Sequence, residues 1–447
     1  MSRTRIIKGK LTEIVAKDYS IFSESNIVYN ATETINAKGE EKGVSYGSPK
    51  SPPDPVTKAK CTIYFRPDKK YKDKPSFGFD WIKISDTGYP GDVWYLNHIG
   101  KYRDASDLSK LRQIYYKQNS GVFRKDLNEY NKICSTFEKL VLEAKKAAGS
   151  SNYIYYVPKM TLRKNTEANL ILKINIDESP KELKFQYDKA LFEISDYKND
   201  EIQNKAKGNR TIPIKIKCKS VFNVKKDITI LADQQVCGRL NVLPNNFSYN
   251  IKVVFVPITT KISGTVQIGT INNMEKIKLK QVLSQSYVQG SVEEEGLDLS
   301  GFFTSNWFNW WYTQNGQIKT HELHKYLNDK IHSKNGKYRD YYKVYVFGSS
   351  SGGLNGIAED VGHVKSAIVF PGRLTSDPSM GTSVHELLHA IGLQHTFDNN
   401  SKYTFERTML DNVMDYSHWN SINRISTTHW QWKIIQSNLN SHKKVVK

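Results

Sequence analysis

SVHELLHAIGLQHTF, residues 383–397, places three histidines and a glutamate at spacings that a single ion demands. His385 and His389 lie four apart, so on a helix they stand one turn above the other on the same face and offer two imidazole nitrogens to one point. Glu386 points roughly 100° further around the helix, beside that point rather than at it, which suits a general base. A helix that simply continued would carry His395 away. Gly392 is the residue that accepts the positive φ needed to break the helix and turn the chain back. Val384, Leu387, Leu388 and Ile391 remain to anchor the helix in a core. His385, His389 and His395 are therefore expected as metal ligands with a fourth position open, and Zn2+ suits an all-imidazole set.

The string HExxHxxGxxH resembles the metzincin metallopeptidases. A second motif agrees with it: residues 412–416 read NVMDY, so Met414 matches the methionine turn of that family, and Tyr416 the metal-proximal tyrosine of its astacin-like and serralysin-like members. The resemblance covers about the last 185 residues. It implies a zinc endopeptidase acting on a protein or peptide substrate, with Glu386 as general base, Tyr416 stabilising the developing oxyanion, and Met414 packed under the imidazoles. It also implies that HVKSAIVF, just before the site helix, is the edge strand that pairs with extended substrate.

A rival constellation exists. Gly348 to Gly352, GSSSG, fits GxSxG, and Asp360 and His385 follow in the chain order of a serine-hydrolase triad. A nucleophile elbow needs a helix directly after the serine, whereas GSSSGGLNG is a glycine loop. His321, His324, His363, His418 and His429 are expected as surface or hydrogen-bonded histidines.

Working outward, 447 residues are enough for several cores, and the expected fold class is multidomain α+β: β-rich N-terminal modules including an Ig-like β-sandwich, then a metzincin-like α/β zinc peptidase domain. Residues 11–37 repeat with period eight through Leu11, Tyr19, Ile27 and Ile35, describing short stacked strands or an ordinary meander. This resembles the octad-repeat tips of contractile-injection spike proteins. Residues 43–58 concentrate proline, glycine and serine and read as a linker, so 1–57 is expected as a docking segment. Residues 58–150 are expected as an α+β module, helical between about Asp107 and Ala148 through FEKLVLEAKKAAG. FGFDW, Phe77–Trp81, and IGKY, Ile99–Tyr102, resemble strings in the front regions of Bacteroidota type VI secretion effector-like proteins. Residues 151–260 alternate apolar and polar in NLILKINI, TIPIKIKCK and YNIKVVFVPI and are expected as the sandwich. Residues 261–447 are expected as the catalytic domain, with WFNWWYT at 307–313 in its core.

Net charge is +20, most of it in the first 260 residues, which favours anionic partners, although no motif for specific nucleic acid accompanies it. No apolar run approaches a bilayer span and the first residues lack an apolar signal region. The expectation is a chain made in the cytoplasm without a signal peptide and secreted by a leaderless route, as toxic cargo bound to a spike or tube component of a secretion system. The alternative is a catalytically inactive metzincin-like protein whose basic front holds anionic partners. Cys61, Cys134, Cys218 and Cys237 form no CxxC pair. Pairing of Cys218 with Cys237 across a sheet is left open.

Overall fold

The computed structural model describes residues 56–58, 61–73, 75–114, 121–146, 149–196, 204–262, 264–302, 313–314, 317–318, 323–351, 354–362, 364–370 and 381–446. The octad repeat, the linker up to Pro55 and residues 307–312 of the tryptophan-rich string lie outside them. The architecture is β-rich α+β with several sheets.

Alternation builds the first core. Strand Glu167–Ile176 turns Ala168, Leu170, Leu172, Ile174 and Ile176 inward, and antiparallel Gly208–Cys218 answers with Ile212, Ile214, Ile216 and Cys218 in the register Ile214↔Leu170. Four strands form one sheet, in the order Phe192–Asp196, Gly208–Cys218, Glu167–Ile176, Cys61–Pro67. Five form the other, in the order Leu183–Gln186, Lys226–Ala232, Gln235–Val242, Lys159–Met160, Phe79–Asp80. Their inward residues share a single hydrophobic core, which makes a two-sheet sandwich.

The sandwich recruits Cys61–Pro67 and Phe79–Asp80, so the expected boundary near 150 is corrected. Cys61, Ile63 and Phe65 fill the open side of the sheet beside Glu167–Ile176, a partner roughly a hundred residues away that no local pattern reveals. FGFDW accordingly supplies buried Phe77, Phe79 and Trp81 to this core. Among the described residues of 107–148 the helical expectation holds for Leu127–Cys134, N-capped by Asp126. Lys139–Lys146 is a strand, antiparallel to Gly149–Tyr156 and parallel to Val56–Lys58, because strand pairing overrides the helix-forming composition of LVLEAKK. The four cysteines are free and buried; the Cys237 thiol faces Cys61, while Cys218 bonds Ser220 O at 3.1 Å.

The boundary at 260 is corrected too. Strand Phe247–Ile262 is the centre of the C-terminal sheet, in parallel with Val288–Glu294 and Tyr342–Phe347. Residues Val253 to Val256 are all buried, with Val253 and Phe255 facing one core and Val254 and Val256 the other. A run apolar on both faces is the mark of a parallel strand covered by helices. Helices Asn273–Ser284 and Thr382–Ile391 cover one face and Leu323–Lys334 the other. The sheet continues from Tyr342–Phe347 to Ser366–Val369 and ends on Gly356–Ala358, the one antiparallel member on that side. Within HVKSAIVF, Ser366–Val369 is therefore paired on both sides, and among the described residues the edge belongs to Gly356–Ala358 that precedes it.

Residues 56–447 pack as one compact unit. Thr161 Oγ1 donates to Gln285 O at 2.9 Å, Arg163 Nη2 to Val288 O at 2.8 Å, and His429 N to Asp80 Oδ2 at 2.8 Å, so the sandwich and the C-terminal sheet are hydrogen-bonded together. No helix among the described residues is long and apolar enough to cross a membrane.

Candidate metal centre

Helix Thr382–Ile391 presents its ligand face to the edge of the sheet and buries the rest in a core with Leu279, Val344 and Met414. Its N-terminus is held by Glu275, whose carboxylate accepts from Ser383 N at 3.0 Å. Its end is set by Gly392 at φ +118°, where Gly392 N and Leu393 N both donate to Leu388 O, at 3.0 and 2.9 Å. A Cβ there would lie 2.1 Å from Asn438 Nδ2, which itself donates to Ile391 O at 2.7 Å. Glycine is thus required both by conformation and by space.

The turn brings His395 back. His385 Nε2 lies 3.2 Å from Nε2 of both His389 and His395, and the latter two are 3.1 Å apart. His385 Nδ1 donates to Val413 O at 2.7 Å and His389 Nδ1 to Leu393 O at 2.6 Å. Those carbonyls require the proton on Nδ1, so the Nε2 atoms of both rings present lone pairs to the same point. Buried lone pairs converging in this way repel unless a cation sits among them. Three nitrogens at about 2.0–2.1 Å from a tetrahedral ion stand about 3.3 Å apart, close to the spacing observed, so the donor set fits a metal ion. Burial, reinforced for His385 and His395 by neighbouring His389 and Arg424, pushes the proton affinity of the rings down, to about 4 at His389. The ligands are kept neutral and available.

Glu386 is buried beside them, with Gly356 packed against its Cγ side and the Ala358 N–H donating to its carboxylate. Burial raises its pKa to about 8, against the pull of the Arg424 cation. Tyr416 has its ring centroid 4.9 Å from His395 and 5.8 Å from His385. Met414 is fully buried in the core under the helix, and its carbonyl accepts from Thr396 N at 3.0 Å, tying the two motifs together one residue beyond His395. Phe397 stacks on His395 with centroids 4.7 Å apart. All seven residues singled out in the sequence thus meet here. A cavity of about 60 Å³ opens beside them, lined by Asn355, Gly356, Glu386, Tyr416, Trp419 and Arg424 among others.

Three contributors are not among the residues that the sequence assigns to the site. The Asp415 carboxylate, buried and raised to about 6, accepts from Thr408 N, Leu410 N and Tyr416 N at 2.7–2.8 Å and so shapes the turn; adjacency to Met414 was its only signal. Arg424 reaches the cavity with Nη1 donating to Asp415 O at 2.9 Å. From the front of the chain, Gly100 N donates to Thr404 O at 2.9 Å and Tyr102 OH accepts from Arg407 N at 2.7 Å, so IGKY braces the loop behind His395.

The serine constellation finds no support at the histidine: His385 has both nitrogens engaged in the histidine cluster and its carbonyl, while Ser349 bonds Thr260 Oγ1 at 3.1 Å and the next described strand is Gly356–Ala358. His324 bonds Ser366 and His429 lies 3.0 Å from Lys159 Nζ, while His418 borders the cavity. His321 and His363 lie outside the described residues. Among the described residues, His385, His389 and His395 are the group of three that can hold a metal.

No family model matches the chain, and no curated protein matches it. Among solved structures the chain is similar to the S-layer protein SbsC: to its domains 4 and 5 over 24% of this chain and 57% of that one, at 10% identity and TM-score 0.14, and to its domains 1–6 over 31% and 20%, at 9% identity and TM-score 0.15. Likenesses of this size assign no fold.

Proposed function

We propose that the chain is a zinc-dependent endopeptidase of metzincin type. The observation that carries the reading is the convergence of three imidazole Nε2 atoms, two of them on rings whose Nδ1 is engaged by a carbonyl, with a buried glutamate and an open cavity beside them. A bound zinc ion supplies Lewis acidity toward water and a peptide carbonyl. His385, His389 and His395 hold it, oriented by the carbonyls of Val413 and Leu393. Glu386 takes up a proton and passes it to the leaving amine. Tyr416 offers its phenol to the developing oxyanion. The free side of Gly356–Ala358 pairs with extended substrate backbone and brings it past Glu386.

The test is elemental analysis of purified protein together with cleavage of a mixed peptide library, with and without chelator. One zinc per chain and chelator-sensitive cleavage is the expected result; a metal-free protein, or cleavage indifferent to chelation, overturns it. We further propose that residues 1–57 are the export segment of a secreted effector. Deletion of residues 1–55, which stops short of the strand Val56–Lys58, should abolish export while leaving peptidase activity in place.

A further inference from the structure

Two of the four cysteines meet across the sandwich. Cys61 opens strand Cys61–Pro67 of the four-stranded sheet and Cys237 lies in strand Gln235–Val242 of the five-stranded one, both buried in the shared core. Cys237 is the extra residue of a β-bulge: Gly238 pairs with Ile230 and Val236 with Leu231, so Cys237 has no partner of its own in that ladder. A bulge re-aims a side chain, and here Cys237 and Gly238 are buried in succession where strict alternation would bury one of them. Gly238 lets the two sheets approach closely, since a Cβ there would lie 2.5 Å from Ile63 O, two residues along from Cys61. Beside that contact the Cys237 thiol is hydrogen-bonded to Cys61 and lies 3.4 Å from Ile230 O. The other two thiols are engaged elsewhere. Cys218 donates to Ser220 O at 3.1 Å and accepts from Asn245 Nδ2 at 3.2 Å, and Cys134 shares hydrogen bonds with Tyr156 and Tyr130.

From this geometry we infer that Cys61 and Cys237 are an oxidisable pair, a modification site at which the chain forms an intersheet disulfide when it folds in the presence of a small-molecule disulfide. Such a bond needs Cβ atoms about 3.5–4.5 Å apart, and the bulge together with Gly238 brings the two strands to that range. The step is two thiol–disulfide exchanges. One cysteine, as thiolate, attacks a sulfur of the oxidant and expels its other half as a thiolate; the second cysteine then attacks the first one's sulfur and expels the remaining half. The two protein thiols give up two protons to the departing thiolates, and the two electrons lost by the pair reduce the oxidant to two thiols. In the folded chain both sulfurs are closed off from solvent, and the hydrogen bond with Cys61 and burial hold the Cys237 thiol well above its ordinary pKa, so the attacking thiolate is scarce there. Exchange therefore belongs to the opened chain during folding, and the finished bond is shielded by the same burial. It closes a loop from residue 61 to residue 237, which restricts the unfolded chain and ties the first strand of the sandwich to the opposite sheet. Nothing in this step involves the metal centre or the peptidase reading.

The experiment uses the full chain, unfolded in urea and refolded by dilution into a mixture of oxidised and reduced glutathione, with a parallel sample refolded in reductant alone. Remaining thiols are alkylated in denaturant and the digested chain is mapped by mass spectrometry. The expected result is a peptide pair joined through Cys61 and Cys237 in most of the oxidised sample, with Cys134 and Cys218 recovered alkylated. That sample should also unfold at a higher temperature than the reduced one, and Cys61→Ala should lose both the joined pair and the gain. Should Cys61→Ala fail to fold, the map of the unaltered chain, which needs no variant, still decides. Alkylation of both Cys61 and Cys237 after oxidative refolding, a glutathione adduct left on either, or a bond from Cys237 to Cys218 or Cys134 overturns the inference. So does a joined pair that leaves the unfolding temperature where the reduced chain has it.

Discussion

Lys83 and Asp411 form a buried ion pair that joins the sandwich side of the molecule to the turn beneath the metal centre. Lys83 Nζ also donates to Gly91 O at 3.0 Å, and Asp411 accepts from Ser426 Oγ at 2.8 Å while its carbonyl receives Ile425 N and Ser426 N. Asp411 opens the segment that ends in Met414 and Tyr416, so a front residue helps to hold the floor of the site. Removing one member of a buried pair strands the other charge, at a cost of about 3–5 kcal/mol. Lys83→Met should therefore lower stability by that order in urea unfolding, and weaken metal affinity in a chelator competition. The double variant Lys83→Met with Asp411→Asn should recover much of the loss. An unaltered single variant would refute the coupling.

Gly392 yields a second prediction. An alanine there meets Asn438 and a positive φ together, whereas Gly296 has open space around the position its Cβ would take. Gly392→Ala should cost about 1–3 kcal/mol, and Gly296→Ala should be close to neutral. Because Gly392 aims the segment carrying His395, metal affinity should fall more steeply than stability; equal effects of the two substitutions on metal affinity would contradict the assignment.

Legibility followed the range of the contacts. The ligand set, Glu386 and Gly392 lie within one helix and the turn after it, so period and glycine chemistry exposed them. Tyr416 and Met414 were found only because a second motif marks them. Arg424 and Lys83 act through tertiary contacts with no periodic signature, and Asp415 through local bonds to Thr408, Leu410 and Tyr416 that no residue pattern marks. The same rule sorted the fold: alternation marked Glu167–Ile176 and Gly208–Cys218 correctly, but could not show that Cys61–Pro67 joins them from far away. Phe247–Ile262 was assigned to the sandwich on its alternating ends, although Val253 to Val256 buried on both faces is the pattern of a central parallel strand. Lys139–Lys146 failed for the opposite reason: its helix-forming residues were outweighed by two strand partners.

Glu386 separates binding from chemistry. Glu386→Gln keeps the shape and the Ala358 contact but removes the proton acceptor, and none of the ligand nitrogens belongs to it. Zinc content should stay at the wild-type level while kcat falls about 10²–10⁴-fold, the scale of a lost general base. His389→Ala should instead lose the metal. Turnover retained in Glu386→Gln would eliminate this glutamate as the base.

Lys343 predicts a pH dependence of stability away from the site. It is 3% exposed on the central strand Tyr342–Phe347, donates to Arg339 O at 3.2 Å, and has its pKa pushed from 10.5 down to about 8 by burial and by Lys365. Between those two values the unfolded chain holds a proton that the folded chain has released. The burial penalty is therefore carried in full below pH 8 and disappears as pH rises towards 10.5. Lys343→Met, which removes the charge and keeps most of the stem, should raise Tm at pH 7, by less per kcal/mol than the ~2–4 °C of a 150–250-residue domain because the compact unit is larger. That advantage should shrink steadily between pH 7.5 and 10. Taking the difference between variant and wild type cancels the thiols and tyrosines that titrate over the same interval. A Tm difference that stays constant with pH would show that Lys343 is charged equally in both states and that its burial carries no such penalty.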